Sequence, residues 1–356
     1  MIKRRKTKGL QIGNVKIGAN APVSVQSMCN TDTCDVKKTL HQINELAAAG
    51  CEIVRLAVLN ANAADAIKEI VKASPVPLVA DIHFDYRLAI QCINNGIHAL
   101  RLNPGNIGKR ENVEKVVKLA KQQAIPIRIG VNAGSLEKTE LPLPAGEGWG
   151  EGATASKMVS SAMKHIQILE DLDFDLIKVS LKSSDVLKTI EAYRLIAAKI
   201  PYPLHLGVTE AGTLKCGLIK SSVGLGTLLA EGIGDTIRVS LTENPVEEVI
   251  AGFEILKSLG LREKGVNFIS CPTCGRTQID LIGLAKQVEE RFKHIDKPIT
   301  IATMGCAVNG PGEAKHADFG IAGGIGEGYI FKKGEIIARV PEDQLLEKLE
   351  EIILAS

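Results

Sequence analysis

Aromatic residues are scarce in this chain of 356 residues, since Phe, Trp and Tyr make up 3% of it and Trp occurs once. The hydrophobic fraction of 45% is therefore mostly aliphatic. Such a composition supports a sizeable core and is typical of folds that alternate strands and helices. The length allows one large domain and a smaller one.

Strong net charge, long apolar runs and export signals are also missing. The net charge of +2 provides no broad basic surface, so we expect no nucleic-acid partner. No apolar run is long enough to span a membrane, and the basic start at residues 1–8 is not followed by an apolar segment. We therefore expect neither a membrane anchor nor a signal peptide. Eight cysteines in such a chain indicate a reducing cytoplasm, where clustered thiols bind metal more often than they cross-link.

The stretch from Cys271 to Glu313 predicts a metal centre. Cys271 and Cys274 are three positions apart, and Cys306 lies in a distant loop rich in Gly and Pro. Three thiolates are one ligand short of a cubane iron–sulfur cluster or a structural zinc site. Glu313, in the same loop as Cys306, is the nearest carboxylate that can complete the set, and such a weakly held ligand would leave one iron open to substrate. Structural zinc, or buried thiols without a metal, remain alternatives.

Eight short β-rich runs alternate with helix-like segments over the first two thirds of the chain. The runs are residues 23–28, 52–58, 78–83, 99–103, 126–131, 176–181, 204–209 and 236–241. Eight strand–helix units predict a (β/α)8 barrel, the TIM-barrel fold, with an open doubly wound sheet as the alternative. A small hairpin is expected before them, at residues 10–17 around Gly13 and Asn14.

The regular alternation ends after the helix expected at residues 245–259. A short polar linker follows at residues 262–265, and the later strands and helices predict a separate α+β domain. We therefore divide the chain into a substrate-binding barrel domain, residues 1–262, and a cluster-binding domain, residues 263–356. One segment inside the barrel, residues 141–152, is rich in Pro and Gly and fits neither helix nor strand. We favour a tolerated surface insertion there over a lid.

Five cations stand near the carboxyl ends of the predicted strands, where TIM-barrel enzymes carry their chemistry. They are Arg55, Arg101, Arg128, Lys178 and Arg238. Each alone is compatible with a structural ion pair, but five at similar depth indicate a pocket for a polyanion such as a diphosphate, because Arg binds phosphate oxygens in pairs. Residues 221–226 (SSVGLG) are expected to open a helix, either as a phosphate contact or, more simply, for helix packing.

Other polar residues near the same strand ends are candidates for binding or proton transfer. Asp81 and His83 share one face of a strand, and they form either a proton relay or a structural pair. Asn103 and Asn132 add neutral donors. Glu210, just past a strand end, is the best-placed general acid–base, while the nearby His205 is either functional or a packed core residue. The remaining cysteines are expected to be ordinary buried or half-buried thiols, namely Cys29, Cys34, Cys51, Cys92 and Cys216.

Several motifs together resemble one enzyme family over nearly the whole chain. They are Val25-Gln26-Ser27-Met28, Val54-Arg55-Leu56, Ala80-Asp81-Ile82-His83-Phe84, Arg101-Leu102-Asn103-Pro104-Gly105-Asn106, Arg128-Ile129-Gly130-Val131-Asn132, Leu206-Gly207-Val208-Thr209-Glu210-Ala211-Gly212, Ser270-Cys271-Pro272-Thr273-Cys274-Gly275-Arg276 and the loop from Met304-Gly305-Cys306 to Glu313. On these motifs the chain resembles the bacterial 4-hydroxy-3-methylbut-2-enyl diphosphate synthases of the non-mevalonate isoprenoid pathway, in their compact two-domain form. Cys29 departs from a threonine usual at its position, and the insertion at residues 141–152 replaces a more regular loop.

The resemblance implies an iron–sulfur oxidoreductase. Its expected cofactor is a [4Fe–4S] cluster on Cys271, Cys274, Cys306 and Glu313, through which two electrons open and dehydrate 2-C-methyl-D-erythritol 2,4-cyclodiphosphate. The catalytic residues are then expected to be Glu210, Asp81, His83 and Glu313. The substrate-binding residues are expected to be Arg55, Arg101, Asn103, Arg128, Asn132, Lys178, Ser180, His205, Arg238, Ser240 and Asn309.

The resemblance also implies partners. The electrons require a flavodoxin or ferredoxin, and a homodimer is expected in which the barrel of one chain and the cluster domain of the other share the active site. Two other functions fit the residues. One is a zinc-dependent TIM-barrel lyase acting on a sugar phosphate. The other is a binding module stabilised by a metal, which would bind nucleic acid at the basic open end of the barrel.

Overall fold

The computed structural model describes residues 2–136, 151–263, 265–306 and 314–356. The chain divides into two compact units, Met1–Arg262 and Glu263–Ser356. Within the described residues, the helices are all too short or too polar to cross a membrane.

The predicted (β/α)8 barrel is confirmed in the first unit. Its strands are β3 (Ser24–Met28), β4 (Ile53–Ala57), β5 (Leu78–Asp81), β6 (Ala99–Arg101), β7 (Ile127–Asn132), β8 (Ile177–Lys182), β9 (His205–Leu206) and β10 (Thr236–Ile237). They form one parallel sheet in the order β8-β7-β6-β5-β4-β3-β10-β9. A parallel bridge between Val179 and Leu204 joins its two ends, so the sheet closes into a ring.

Helices surround this ring as the sequence predicts. In the described part of the first unit they are α1 (Val36–Ala48), α2 (Ala61–Ala73), α3 (Tyr86–Asn94), α4 (Arg110–Gln122), α5 (Glu151–Glu170), α6 (Val186–Ala197), α7 (Leu214–Ala230) and α8 (Pro245–Ser258). Several begin at an Asp or Asn whose side chain accepts a hydrogen bond from the first turn, such as Asp35, Asn60 and Asp185.

The alternation of side chains along each strand separates two environments. Residues such as Val25, Val54 and Val179 face outward and pack with the helices in the main core. On the inner face, Ile53, Val79 and Ala99 pack against a hairpin of β1 (Leu10–Ile12) and β2 (Val15–Ile17), which confirms the expected hairpin. This apolar layer closes the amino-terminal end of the barrel, so the polar inner side chains lie toward the opposite end.

Two expectations about local structure are wrong. Residues 221–226 lie inside α7, which begins earlier, at Leu214, so they do not present a helix amino terminus to a phosphate. Glu151 and Gly152, assigned to an irregular insertion, belong to the first turn of α5. The rest of that insertion, residues 141–150, lies outside the described residues.

The second unit is an α+β domain. Its strands are β11 (Val266–Ser270), β12 (Ile299–Met304), β13 (Phe319–Gly323), β14 (Glu327–Lys332) and β15 (Glu335–Pro341), in that order across one sheet. The first three strands are parallel, and β14 and β15 complete the sheet as antiparallel strands. Helices α9 (Leu281–Phe292) and α10 (Leu345–Leu354) contribute Val288, Phe292 and Leu349 to the core. Pro341 ends β15, and α10 begins four residues later.

Candidate active site

A polar cavity of about 180 Å³ opens at the carboxyl ends of the barrel strands. Its wall is formed by Arg55, Asp81, His83, Arg101, Arg128, Asn132, Ser180, Lys182, Thr209, Arg238 and Ser240. Five of these side chains are cationic and only one is a carboxylate. The cavity is therefore suited to an anion with several charged oxygens.

Asp81 is the carboxylate that holds two of the cavity's arginines. Its Oδ1 atom lies 3.2 Å from Arg101 Nη1 and its Oδ2 atom 3.7 Å from Arg55 Nε, while His83 Nε2 is 3.6 Å away. Burial alone would raise the pKa of Asp81, but the hydrogen bond with His83 and the charges of Arg55 and Arg101 outweigh it and lower that pKa below its usual value. Asp81 is thus an ionised anchor at neutral pH.

Glu248 holds a third arginine from outside the barrel. It belongs to α8 and is buried, and its carboxylate accepts bonds of 3.2 Å from both Nε and Nη2 of Arg238. It also accepts from the Ser27 hydroxyl and from the Leu241 amide, at 2.9 and 3.1 Å. Four donors therefore share one buried carboxylate, which fixes the direction of the Arg238 guanidinium.

Gly130 provides the space in which Arg101 lies. A Cβ atom at this position would be 2.7 Å from Arg101 Nε, closer than a real Cβ contact allows. Arg101 Nη2 donates to the Gly130 carbonyl at 3.0 Å. Asn103 donates to the same carbonyl and accepts from the Gly130 amide, both at 2.9 Å. Asn103, which was predicted to bind substrate, thus lies off the cavity wall, and its side-chain amide is hydrogen-bonded to the Gly130 backbone.

Arg128 and Lys182 are the most deeply buried cations of the cavity wall. Arg128 is 2% exposed, and its Nε and Nη1 atoms have no hydrogen-bond partner among the described residues. Burial, followed by the charges of Arg55 and Arg101, lowers the pKa of Arg128. Burial, followed by the charges of Arg128 and Arg238, lowers the pKa of Lys182 well below its usual range. A bound anion would offset the cost of burying these two positive charges close to other cations.

Most of the predicted site residues come together on this wall, but three candidates besides Asn103 do not. Lys178 and His205 are fully buried beneath the cavity, and His205 Nδ1 is 2.7 Å from the Thr236 hydroxyl oxygen. Glu210 follows the wall residue Thr209, is exposed, and has a left-handed backbone with φ of 52°. Asn309 and Glu313 lie outside the described residues.

The sequence analysis missed Lys182, Thr209 and Glu248. Lys182 had a usable signal, because Lys178, Ser180 and Lys182 alternate along β8 and must share the inner face. Nothing distinguishes Glu248 from Glu247 in the sequence, since both stand in the first turn of α8. Only the packing of α8 against the barrel reveals which one points inward.

Three of the predicted cluster ligands, Cys271, Cys274 and Cys306, lie at the carboxyl edge of the sheet in the second unit. Cys271 follows β11 and Cys306 follows β12, and these strands pair in parallel, with Ser270 opposite Thr303. The Gly305 amide donates to Cys271 Sγ at 3.2 Å. Hydrogen bonds from the backbone and side chain of Arg276 lower the pKa of the exposed Cys274 thiol. These donors favour the thiolate form of Cys274, which is the form that binds iron.

The chemistry of the three thiols fits an iron–sulfur cluster, and all three follow strands at one edge of the sheet. In the described ranges no three His, Cys, Asp or Glu side chains lie close enough together to hold a metal ion, and residues 307–313, with Glu313, lie outside those ranges.

The other cysteines divide into two groups. Cys29, Cys51 and Cys92 are buried as expected, but Cys34 and Cys216 are exposed.

Comparison with known families identifies the architecture as a whole. The chain matches the GcpE TIM-barrel domain over residues 7–253 and the GcpE protein C-terminal domain over residues 267–355. The chain belongs to the GcpE family.

Relatives within the GcpE family cover the chain almost end to end. One is the 4-hydroxy-3-methylbut-2-en-1-yl diphosphate synthase (flavodoxin) of Geobacter sulfurreducens, 59% identical over 354 residues, which covers 98% of this chain and 99% of the relative. The enzyme of the same name from Clostridium perfringens is 60% identical over 350 residues, with the same coverage. The resemblance inferred from the motifs is thus confirmed.

A more distant likeness concerns the barrel alone. The structure of a dihydropteroate synthase from Coxiella burnetii in complex with pteroic acid aligns with a TM-score of 0.50 and 12% identity, over 71% of this chain and 97% of that one. At this identity the likeness shows a shared fold and nothing of the chemistry.

Proposed function

We propose that the protein is a 4-hydroxy-3-methylbut-2-enyl diphosphate synthase, which reductively opens and dehydrates 2-C-methyl-D-erythritol 2,4-cyclodiphosphate. The observation that carries this proposal is the cavity with five cations at the mouth of a GcpE-family barrel. Its relatives of that name match over the whole chain, and their name supports flavodoxin as the electron donor, with ferredoxin as the other candidate.

The cations divide into an anchored group and a free group. Arg55, Arg101 and Arg238 are held by carboxylates, so they present preset donors to the diphosphate. Arg128 and Lys182, the two most deeply buried cations of the wall, gain the most from a bound phosphate oxygen. Cations that are already fixed in place need little reorganisation when negative charge develops on the leaving phosphate oxygen. Such preorganisation is the usual basis of electrostatic catalysis.

Ring opening makes the anion more highly charged. The ring diphosphate has two acidic oxygens, whereas the opened terminal diphosphate has three, so the cationic wall stabilises the product side of the reaction most. The reaction takes up two electrons, breaks the ring C–O bond and releases one hydroxyl as water, which requires a proton donor. Glu210 and His83 are the candidates, because Asp81 remains ionised between its arginines.

Cys271, Cys274 and Cys306, with Glu313 as the fourth ligand, would hold a [4Fe–4S] cluster that supplies the electrons one at a time. The lowered pKa of Cys274 and the hydrogen bond that the Gly305 amide donates to Cys271 Sγ support this assignment. Thiolate ligands also require a reducing compartment, so we place the enzyme in the cytoplasm.

We further propose that a homodimer completes the site. Arg262, at the end of the first unit, donates to the Val23 carbonyl and pairs with Glu52, which precede β3 and β4 at the closed end of the barrel. The chain therefore leaves the barrel opposite the cationic cavity. In a homodimer closed by two-fold symmetry, the cluster domain of the partner would face this cavity.

The direct test is an assay of anaerobically purified protein with the cyclodiphosphate and a chemical reductant. We expect a brown protein with about four irons per chain that forms the diphosphate product. Cys271→Ser should lose iron, whereas Cys92→Ser, a buried barrel cysteine, should keep it. Colourless protein that contains zinc and cleaves a sugar phosphate would instead establish the lyase alternative.

A further inference from the structure

A band of buried polar groups lies inside the barrel beneath the cavity. Among the described residues, five inner-facing side chains carry buried atoms without any hydrogen-bond partner. These atoms are Ser24 Oγ, both polar atoms of the Gln26 amide, Arg128 Nε and Nη1, Lys178 Nζ and His205 Nε2. Native interiors leave few such groups without partners, and barrel interiors usually contain branched aliphatics instead.

These side chains form a continuous surface. They belong to β3, β7, β8 and β9, and with β10 these strands are consecutive around the ring. Arg128 lies opposite Lys178 in the pairing of β7 and β8. His205 lies opposite Thr236, which lies opposite Ser24. The register therefore places these side chains on adjoining strands of one part of the inner wall.

The band is distinct from the cavity above. On β4, β5 and β6, the remaining strands of the ring, Ile53, Val79 and Ala99 pack against the hairpin at the amino-terminal end of the barrel. Above it, Ser180 and Lys182 line the cavity on β8, whereas Lys178, earlier on the same strand, does not. Arg128 alone of the five belongs to both surfaces. A ligand of the band must therefore be small enough to pass the cavity.

The chemistry of the band is that of an anion site. An ammonium, a guanidinium and an amide contribute many donors, while the acceptors are limited to Gln26 Oε1, the Ser24 hydroxyl and one imidazole nitrogen. Water would accept from these donors but would carry no charge to offset those of Lys178 and Arg128. Two carboxylates act on these cations, and both already have other partners. Asp235, which acts on Lys178, is paired with Arg4 at 3.1 Å and accepts from the Leu204 amide. Asp81, which acts on Arg128, lies between Arg55 and Arg101.

We propose that this inner band binds a small inorganic anion of halide size, held by Lys178 and Arg128, beneath the cavity that receives the diphosphate. The anion satisfies donors that the protein leaves unpaired and neutralises part of the positive charge. It also fixes the inner side of Arg128, so that the outer donors of this guanidinium face the cavity. The site is occupied with or without substrate.

The first test is thermal unfolding of the cluster-loaded protein in chloride or bromide, compared with gluconate at equal ionic strength. We expect halide to raise the unfolding midpoint by about 2 °C or more, with saturation. Lys178→Met should remove this dependence. Lys182→Met, on the same strand but on the cavity wall, should keep it while weakening binding of inorganic pyrophosphate. A wild-type midpoint independent of halide, or equal responses of the two variants, would overturn the proposal.

The second test locates the anion and does not depend on any variant folding. Anomalous diffraction from crystals grown in bromide should show a peak bounded by Arg128 and Lys178, and added pyrophosphate should not displace it. Bromide found only on the surface would be an adventitious ion only. A peak that pyrophosphate displaces would belong to the diphosphate cavity, and either result refutes a separate inner site.

Discussion

At the scale of single residues, Gly130 determines where a charged side chain lies. We expect Gly130→Ala to weaken substrate binding about tenfold, or about 1.4 kcal/mol, because the new Cβ would lie 2.7 Å from Arg101 Nε and push the guanidinium off β7. Calorimetric titration with the cyclodiphosphate measures this. Gly134→Ala is the matched control, because among the described residues, its chain neighbours aside, no atom lies within 4 Å of its added Cβ. If both variants bind equally well, Arg101 does not need the space.

Lys182 should make the protein's stability depend on pH in a predictable direction. Its folded pKa is lowered by burial and by neighbouring cations, so the unfolded chain binds this proton more tightly. Stability should therefore rise with pH from the folded pKa up to the ordinary lysine value of 10.5, with a slope of at most about 1.4 kcal/mol per pH unit.

The comparison variant for this prediction is Lys182→Met. It should be more stable than wild type near neutral pH, and the difference should shrink toward high pH in urea unfolding experiments. Lys121→Met, which removes an exposed lysine, should follow the wild-type curve. A constant difference between wild type and Lys182→Met across the pH range would show that burial does not penalise this charge.

At the scale of elements, α8 supports the site by inserting Glu248 between strands. Glu248→Ala leaves Arg238 and the Ser27 hydroxyl without their buried acceptor, so we expect a loss of roughly 3 kcal/mol in unfolding free energy. Weaker substrate binding should accompany it. Urea denaturation provides the measurement, and Glu247→Ala, one position away on the same helix, should stay within about 0.5 kcal/mol. Similar losses in both variants would assign the effect to the helix terminus instead.

At the scale of the whole molecule, the homodimer proposal predicts complementation. Arg128→Ala damages the cavity, and Glu313→Ala removes the proposed fourth cluster ligand, so each variant should be nearly inactive alone. After subunit exchange, each mixed dimer should contain one intact site. Random pairing then restores about a quarter of wild-type activity. Mass spectrometry must first confirm mixed dimers, and their inactivity would place the whole site within one chain.

Much of the architecture could be predicted because it follows from local repetition. Eight alternations of strand and helix, Gly13 and Asn14 in the hairpin, and the paired spacing of Cys271 and Cys274 are all properties of short segments. The boundaries of β9 and β10 were less predictable. Residues 204–209 and 236–241 both have strand composition, yet only two residues of each form regular strand. The length of a strand depends on pairing with its neighbours, which the composition of one segment does not determine.

The sequence by itself determined that cations stand on the inner face of the barrel strands, since alternation along a strand assigns each side chain to one face. Only the tertiary structure decided their depth and their neighbours. Lys178 lies beneath the cavity and Lys182 on its wall. Asn103 is hydrogen-bonded to Gly130, and Glu248 of α8 accepts a hydrogen bond from Arg238. The physical reason is that depth depends on the stagger between strands and on helix packing, and both are set by contacts between residues far apart in the chain.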